Sequence, residues 1–349
     1  MFAAHSFSRR FFQFATAFVF SLAASHANAH NHSAYSHDAQ VNAYHADWMQ
    51  GISGDKALRD ISIPGTHDTM SFYGGDIVQT QSMSLDNQLM AGIRMLDIRC
   101  RRIDNKFAIH HGFVYQHANF DDVLQAVTRF LAAHPSETVM MRVSEEYDVA
   151  NSNLSFAEIF TNYANDARYS QYFWRGNNSD VTLNNVRGKI VVMRNFSGID
   201  FGIPYGSMQA QDAYNMTTNW DLYSKWEKVK NHLNTANNAQ NLPAAQHGFY
   251  INYLSASGGS FPYFVVSGHS SPGTGAPRLA TGLTTPGWKN SYPDFPRVSC
   301  FIGICTIAFE GTNVLTYDYL NRIRFSGVIM TDFPGAGLIG RIIELNQKR

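Results

Sequence analysis

The chain predicts an α/β fold, an irregular (β/α)8 TIM-type barrel formed as a single domain, and two observations carry that prediction. Eight runs are short and rich in Ile, Val and Met, as strands buried on both faces should be. Between them lie segments that are either amphipathic at a 3.6-residue period or long and polar, with no internal repeat and no linker to divide the chain. A helix–sheet sandwich is the competing architecture.

In chain order, the first segment reads as an export signal. Arg9-Arg10 is a positive region, Phe11 to Ala24 an apolar stretch, and Ala27-Asn28-Ala29 a small-x-small cleavage site. Residues 1–29 are therefore expected to be a signal peptide, and the protein to be secreted or periplasmic. The apolar run is too short for a comfortable membrane span, and Arg9-Arg10 suits either a general or a twin-arginine export signal. Residues 30–46, with His30, His32, His37 and His45 among small polar residues, are expected to be a flexible leader. The barrel is expected over residues 47–349.

The strand candidates are Ile61–Ile63, Met95–Ile98, Phe107–His110, Thr138–Val143, Lys189–Arg194, Phe249–Leu254, Thr306–Phe309 and Val328–Thr331. Helices are expected over Asp121–Ala133, Trp220–Leu233 and Leu338–Leu345. The first carries an apolar stripe at Val123, Leu124, Val127, Phe130 and Leu131, with two acids at its N-terminal end. Residues 255–299 lack periodicity and are expected to be a long excursion. Of the cysteines, Cys300 and Cys305 are the nearer pair for a disulfide, and Cys100 reads as a small buried hydrophobe.

Whole-chain net charge is zero, and removal of residues 1–29 takes away Arg9 and Arg10 and no acid, leaving −2. A nucleic-acid partner would call for a basic stripe, which this balance excludes. No Cys-x-x-Cys or His/Cys ligand spacing is present.

The chemistry gathers at strand ends, where barrels carry their sites. His67 and Asp68 follow Ile63-Pro64-Gly65-Thr66, Asp97 and Arg99 lie two apart on one strand face, His110-His111 end another strand, and Asp332 follows Val328–Thr331. Two histidines backed by carboxylates supply a base and an acid near neutral pH, and an arginine supplies a fixed charge for a phosphate. Neighbouring strand residues face opposite ways, so only one of His110 and His111 is expected to face the site. Asp97-x-Arg99 can also be a structural ion pair, but burying such a pair away from a site is costly.

These motifs resemble those of the bacterial phosphatidylinositol-specific phospholipases C. The resemblance rests on Ile-Pro-Gly-Thr-His67-Asp68, Gly92-Ile-Arg94 with Asp97-Ile-Arg99, His110-His111-Gly112, Pro135-Ser136-Glu137-Thr138 and Glu146-Tyr147. It continues through Gly188-Lys-Ile-Val, Gln211-Asp212-Ala-Tyr214, Tyr250-Ile-Asn252-Tyr253 and Gly327-Val-Ile to Asp332, covering roughly residues 45–335.

The resemblance implies a distorted (β/α)8 barrel and cleavage of phosphatidylinositol to diacylglycerol and inositol 1,2-cyclic phosphate. It implies His67 as general base, Asp332 as its orienting carboxylate, Arg99 as the phosphate ligand and His111 as general acid. Asp97 would support His111, and Asp68 would assist the leaving group. Relatives that use calcium carry an acid at the position of Arg99, so no metal or other cofactor is expected.

In the headgroup pocket, Asp212 and Tyr214 match an inositol-facing acid and ring. The family's headgroup arginine falls on Arg194, or on Asn195 with a one-residue shift. The lysine expected after the fourth strand is missing from Val143-Ser144-Glu145-Glu146. The expected partner is phosphatidylinositol at a membrane surface, met by a peripheral monomer. Phe72-Tyr73-Gly74-Gly75 and Phe261-Pro262-Tyr263-Phe264 are each either lipid-facing or packed. The alternatives are a related barrel phosphodiesterase for another lipid headgroup, and a non-catalytic barrel that binds inositol phosphate or lipid.

Overall fold

A computed structural model describes residues 32–272 and 275–347. The expected signal peptide, residues 1–29, lies outside the described residues. Among the described residues fifteen strands and eight α-helices follow one another along the chain. The strands are β1 (Ile63–Thr66), β2 (Met95–Ile103), β3 (Lys106–His111), β4 (Val114–Asn119), β5 (Val139–Glu145), β6 (Ile190–Arg194), β7 (Ile203–Pro204) and β8 (Gln209–Gln211). They continue with β9 (Asn215–Met216), β10 (Tyr250–Tyr253), β11 (Ser257–Gly258), β12 (Ala280–Thr284), β13 (Arg297–Phe301), β14 (Ile304–Ala308) and β15 (Val328–Thr331). The helices are α1 (Leu85–Ala91), α2 (Phe120–Ala133), α3 (Phe156–Asn165), α4 (Leu183–Val186), α5 (Leu222–Ala239), α6 (Pro262–Ser267), α7 (Thr312–Tyr319) and α8 (Ala336–Glu344).

Eight strands pair side by side in the order β7-β6-β5-β2-β1-β15-β10-β8, every ladder parallel. The sheet curls into a barrel, and among the described residues no ladder joins β7 to β8. Parity divides each strand. Met95, Met140, Val191, Met193, Ile251, Val328 and Met330 fill the interior. Leu96, Ile98, Met141, Val143 and Val192 face outward into a layer with α1, α2 and α3. Ile329 and Leu254 face α5 to α8 on the other side.

Gly65 marks how tight the interior is: a Cβ there would lie 2.6 Å from Met330 Sδ and 2.8 Å from Met95 Cβ. Two motif residues, Arg94 and Glu137, are both wholly buried and pair at 2.9 Å. Arg94 also binds the carbonyl of Ala46, while Glu137 accepts from Met49 N–H. Their work is structural: they lock the entering chain onto the barrel.

Several expectations change. Phe107–His110 is a strand, but β3 runs antiparallel to a long continuation of β2 and pairs with β4 as a hairpin outside the barrel wall. Thr306–Phe309 falls mostly in β14, the middle of a separate antiparallel sheet β12-β14-β13. The barrel positions left open are taken by β7 and β8. Two- and three-residue strands containing Gln and Pro show no sequence period, so only neighbouring ladders define them.

The described residues within 255–299 hold more regular structure than an excursion and contribute α6, with Tyr263 to Ser267 buried, and two strands of the small sheet. The expected flexible leader is packed from residue 32 on. Tyr35 is 3% exposed and bridges Pro334, and Ser36 N–H bonds Phe333 O at 3.0 Å. Burial of Ala34, Tyr35 and Ala46 supplies the apolar contact that its polar composition concealed. The helices expected over Asp121–Ala133, Trp220–Leu233 and Leu338–Leu345 are present as α2, α5 and α8, with shifted ends. Cys300 and Cys305 form a disulfide, and Cys100 is free and buried.

Candidate active site

Inside faces that are apolar deep in the barrel become polar at the strand ends. Reading along alternate residues gives Ile63-Gly65-His67, Met95-Asp97-Arg99, Met140-Arg142-Ser144 and Val328-Met330-Asp332. Parallel register places these ends together. Asp97 stands opposite Arg142 and Arg99 opposite Ser144. They open on a cleft of about 310 Å³ that also meets His111, Glu146, Asn195, Asp212 and Tyr214. That volume suits one polar headgroup.

His67 is held on both ring nitrogens. Nδ1 lies 2.8 Å from Asp332 Oδ1, and Arg99 Nη2 donates to Nε2 at 2.7 Å. A guanidinium only donates, so Nε2 is unprotonated and the proton of the neutral ring is on Nδ1. Burial disfavours the imidazolium, but the charge and hydrogen bond of Asp332 outweigh it, and the His67 pKa is raised despite Arg99. The backbone of this turn is pinned as well. Gln81 Nε2 donates to His67 O and Thr331 O, and Thr80 Oγ1 to Asp68 O. Asp68 adopts a positive φ of 40°, a backbone strain found mainly at constrained sites.

Arg99 Nη2 also contacts Asp97 Oδ2 at 3.2 Å, and Nη1 lies 3.4 Å from Asp68 Oδ2. Asp97 accepts from Arg142 Nη1 at 2.8 Å through its other oxygen. Burial opposes its charge, but Arg142 and Arg99 overrule burial and hold Asp97 ionised, below the usual carboxylate range. Asp68 has no such surplus of cations. Burial raises its pKa against the pull of Arg99 and His111.

His111 Nδ1 lies 2.9 Å from Val78 O, 3.0 Å from Ser71 Oγ and 3.2 Å from Asp68 Oδ2. The carbonyl only accepts, so Nδ1 carries the proton and Nε2 is free to act. Gly112, next in the chain, donates its N–H to Glu146 Oε1 at 2.8 Å. His110 turns the other way, is 3% exposed and packs at a tilt against Tyr115.

His67, Asp68, Asp97, Arg99, His111 and Asp332 are therefore brought together, with two corrections. Asp97 does not back His111; it bridges two arginines, and the carboxylate on His111 is Asp68. Arg194 does not reach the cleft; its Nη1 binds Ile199 O, and Asn195 takes the wall position. Asp212 and Tyr214 line the cleft as expected. Arg142 was missed, although a charge within the apolar run Val139–Val143 was a signal. Tyr253 and Tyr205 were missed too. Tyr253 sets its ring edge against His67 and shares a 2.9 Å hydrogen bond with Tyr205, whose face covers Arg142.

Two carboxylate-backed histidines flank a guanidinium at the open end of a barrel, and the comparisons place the chain within a family. The phosphatidylinositol-specific phospholipase C X domain matches residues 55–196. A 1-phosphatidylinositol phosphodiesterase of Staphylococcus aureus (strain Newman) is 31% identical over 292 residues, covering 74% of this chain and 90% of the relative. The enzyme of the same name from Listeria monocytogenes is 36% identical over 240 residues, covering 61% and 69%. The solved Listeria phosphatidylinositol-specific phospholipase C superposes with a TM-score of 0.61 at 27% identity over 87% of this chain and 99% of that one. A Staphylococcus aureus structure reaches 0.62 at 24% identity over 86% and 97%, a likeness of fold. The chain belongs to the phosphatidylinositol-specific phospholipase C family and is an enzyme of the phospholipase C type.

Proposed function

We propose that this enzyme cleaves phosphatidylinositol by internal attack, releasing diacylglycerol and inositol 1,2-cyclic phosphate. The observation that carries the reading is the pair of histidines with opposite duties around Arg99. His67 offers an unprotonated Nε2 and takes the proton of the inositol 2-hydroxyl. The freed oxygen bonds to phosphorus as the bond to the glycerol oxygen breaks. His111, protonated on both nitrogens, gives its Nε2 proton to that departing oxygen, so diacylglycerol leaves as a neutral alcohol. In the free site Arg99 caps Nε2 of His67; on binding, its nitrogens turn to the phosphoryl oxygens and the hydroxyl takes their place. Relatives named 1-phosphatidylinositol phosphodiesterase support the substrate. Asp212, Glu146 and Tyr214 suit a ring rich in hydroxyl donors, and Arg142 supplies a cation two residues before Ser144 on the same face.

The reading includes no metal. The Arg99 guanidinium stands 3.2–3.4 Å from Asp97 and Asp68, where a cation would need those oxygens. Phosphorus NMR of a phosphatidylinositol reaction containing EDTA is expected to show the cyclic ester forming at an undiminished rate. A tenfold loss restored by calcium would sink the metal-free mechanism, and an acyclic first product would sink internal attack.

We also propose export of the mature chain to an oxidising compartment. Arg9-Arg10, the apolar stretch and Ala27-Asn28-Ala29 support it, as does the Cys300–Cys305 disulfide. N-terminal sequencing of the protein from an expressing culture should begin at His30; a cytosolic chain retaining Met1 would contradict it.

A further inference from the structure

The hairpin β13–β14 violates a local rule at its tip. Phe301, Ile302, Gly303 and Ile304 make a two-residue turn whose central residues both have positive φ, +47° at Ile302 and +77° at Gly303. Such turns favour Asn-Gly, and a β-branched residue there is an outlier. The strained residue is also 83% exposed, and Phe301 and Ile304 beside it are 74% and 51% exposed. Single exposed apolar residues are ordinary, but a contiguous exposed apolar run around a strained residue is not. The Cys300–Cys305 disulfide closes the hairpin immediately behind these four residues. Thr285 binds Cys305 N at 2.9 Å and starts a turn that leaves Trp288 51% exposed nearby.

We infer that this stapled tip is an apolar finger that enters the hydrocarbon edge of a lipid bilayer and seats the cleft on it. The inference rests on the proposed lipid substrate and names the segment of this chain that meets it. Three observations favour a bilayer over a protein. No charged residue occurs from Val298 to Phe309, so the tip offers no ionic complement to a specific partner. It is a protrusion rather than a groove, and a lipid slab accepts apolar side chains without directional contacts.

The base of its hairpin is also joined to the cleft wall. β14 runs into Phe309, which packs on Phe264 of α6, and the first residue of α6, Pro262, lines the cleft. Asn313 of the next helix, α7, binds the backbone carbonyl of Asp332 at 3.0 Å. Of the two loops singled out from sequence, Tyr73 and Phe261 are half exposed, whereas Tyr263 and Phe264 are core residues.

The test is the full chain carrying Phe301→Thr, Ile302→Asn and Ile304→Thr together. Asn-Gly suits the turn and Thr suits the strands, so the melting temperature should hold or rise. Two readouts are compared: co-sedimentation with phosphatidylcholine vesicles containing phosphatidylinositol, and turnover of a water-soluble ester of inositol phosphate. Vesicle partitioning should fall about tenfold or more, with soluble turnover within twofold of wild type. A fall in partitioning below threefold overturns the inference, as does an equal loss on the soluble ester. Self-association of the wild type that disappears in the variant, with partitioning unchanged, would assign the tip to a second copy of the chain. Wild type that partitions but never turns over either substrate would refute the proposed reaction while leaving the finger standing.

Discussion

Replacing His111 with alanine should cost roughly a hundredfold to ten-thousandfold on phosphatidylinositol, the usual reach of general-acid help. Most of that loss should return on a phenolic or thiolate ester of inositol phosphate. A leaving group of low pKa departs with little need of a proton. His67→Ala should be inactive on both substrates, because the 2-hydroxyl needs a base whatever leaves. The asymmetry follows from the ring contacts. His67 presents an unprotonated Nε2, whereas His111 commits Nδ1 to Val78 O and Asp68 and keeps Nε2 free.

The pH profile gives a second readout. His67 must be neutral to act, and Asp332 raises its pKa, so the acidic limb of kcat/KM should lie above that of an ordinary histidine. Asp332→Asn removes that support and should move the limb to lower pH while lowering the rate. His110→Ala is the control and should lose stability more than turnover, since that ring packs on Tyr115. Rescue of His110→Ala rather than His111→Ala by the better leaving group would reverse the assignment. Rescue of neither would move the acid role to Asp68.

Arg99→Lys should fall a hundredfold or more in kcat/KM, about 3 kcal/mol of transition-state stabilisation. One guanidinium reaches His67, Asp97 and Asp68 at once, with separations of 2.7–3.4 Å. A lysine ammonium keeps the charge but has a single nitrogen and no planar fork for two phosphoryl oxygens. Steady-state kinetics on the soluble ester separates the cases. Activity within threefold of wild type would make Arg99 a structural partner of Asp97 and nothing more.

The site was more legible than the barrel. His67, Asp97, Arg99 and Asp332 could be read because each ends an apolar run, and two-residue alternation puts Asp97 and Arg99 on one face without any knowledge of neighbours. Charges that interrupt buried strands stand out, since burial without a partner or a purpose is costly. Arg142 carries the same signal, a charge inside the apolar run Val139–Val143, but sequence alone does not give it Asp97 as a partner; the β2–β5 register does. By contrast, β7 and β8 are too short and polar to show a period, and β3 and β14 share the composition of barrel strands while pairing elsewhere.

The sequence by itself determined the α/β class, the chemistry at the strand ends, Cys300–Cys305 as the nearer cysteine pair and that only one of His110 and His111 faces the site. Those features depend on local alternation and short spacing. The structure showed the disulfide and picked His111. Tertiary structure alone decided which carboxylate serves which cation. Asp68 and Asp97 lie close along neighbouring strands, and either could be paired with His111 from sequence. Parallel register sets Asp97 opposite Arg142 and beside Arg99, so its charge is taken up by two guanidiniums. The positive-φ turn at Asp68 swings that carboxylate toward His111 instead. Pairings between strands far apart in the chain are fixed by packing geometry, which no local pattern encodes.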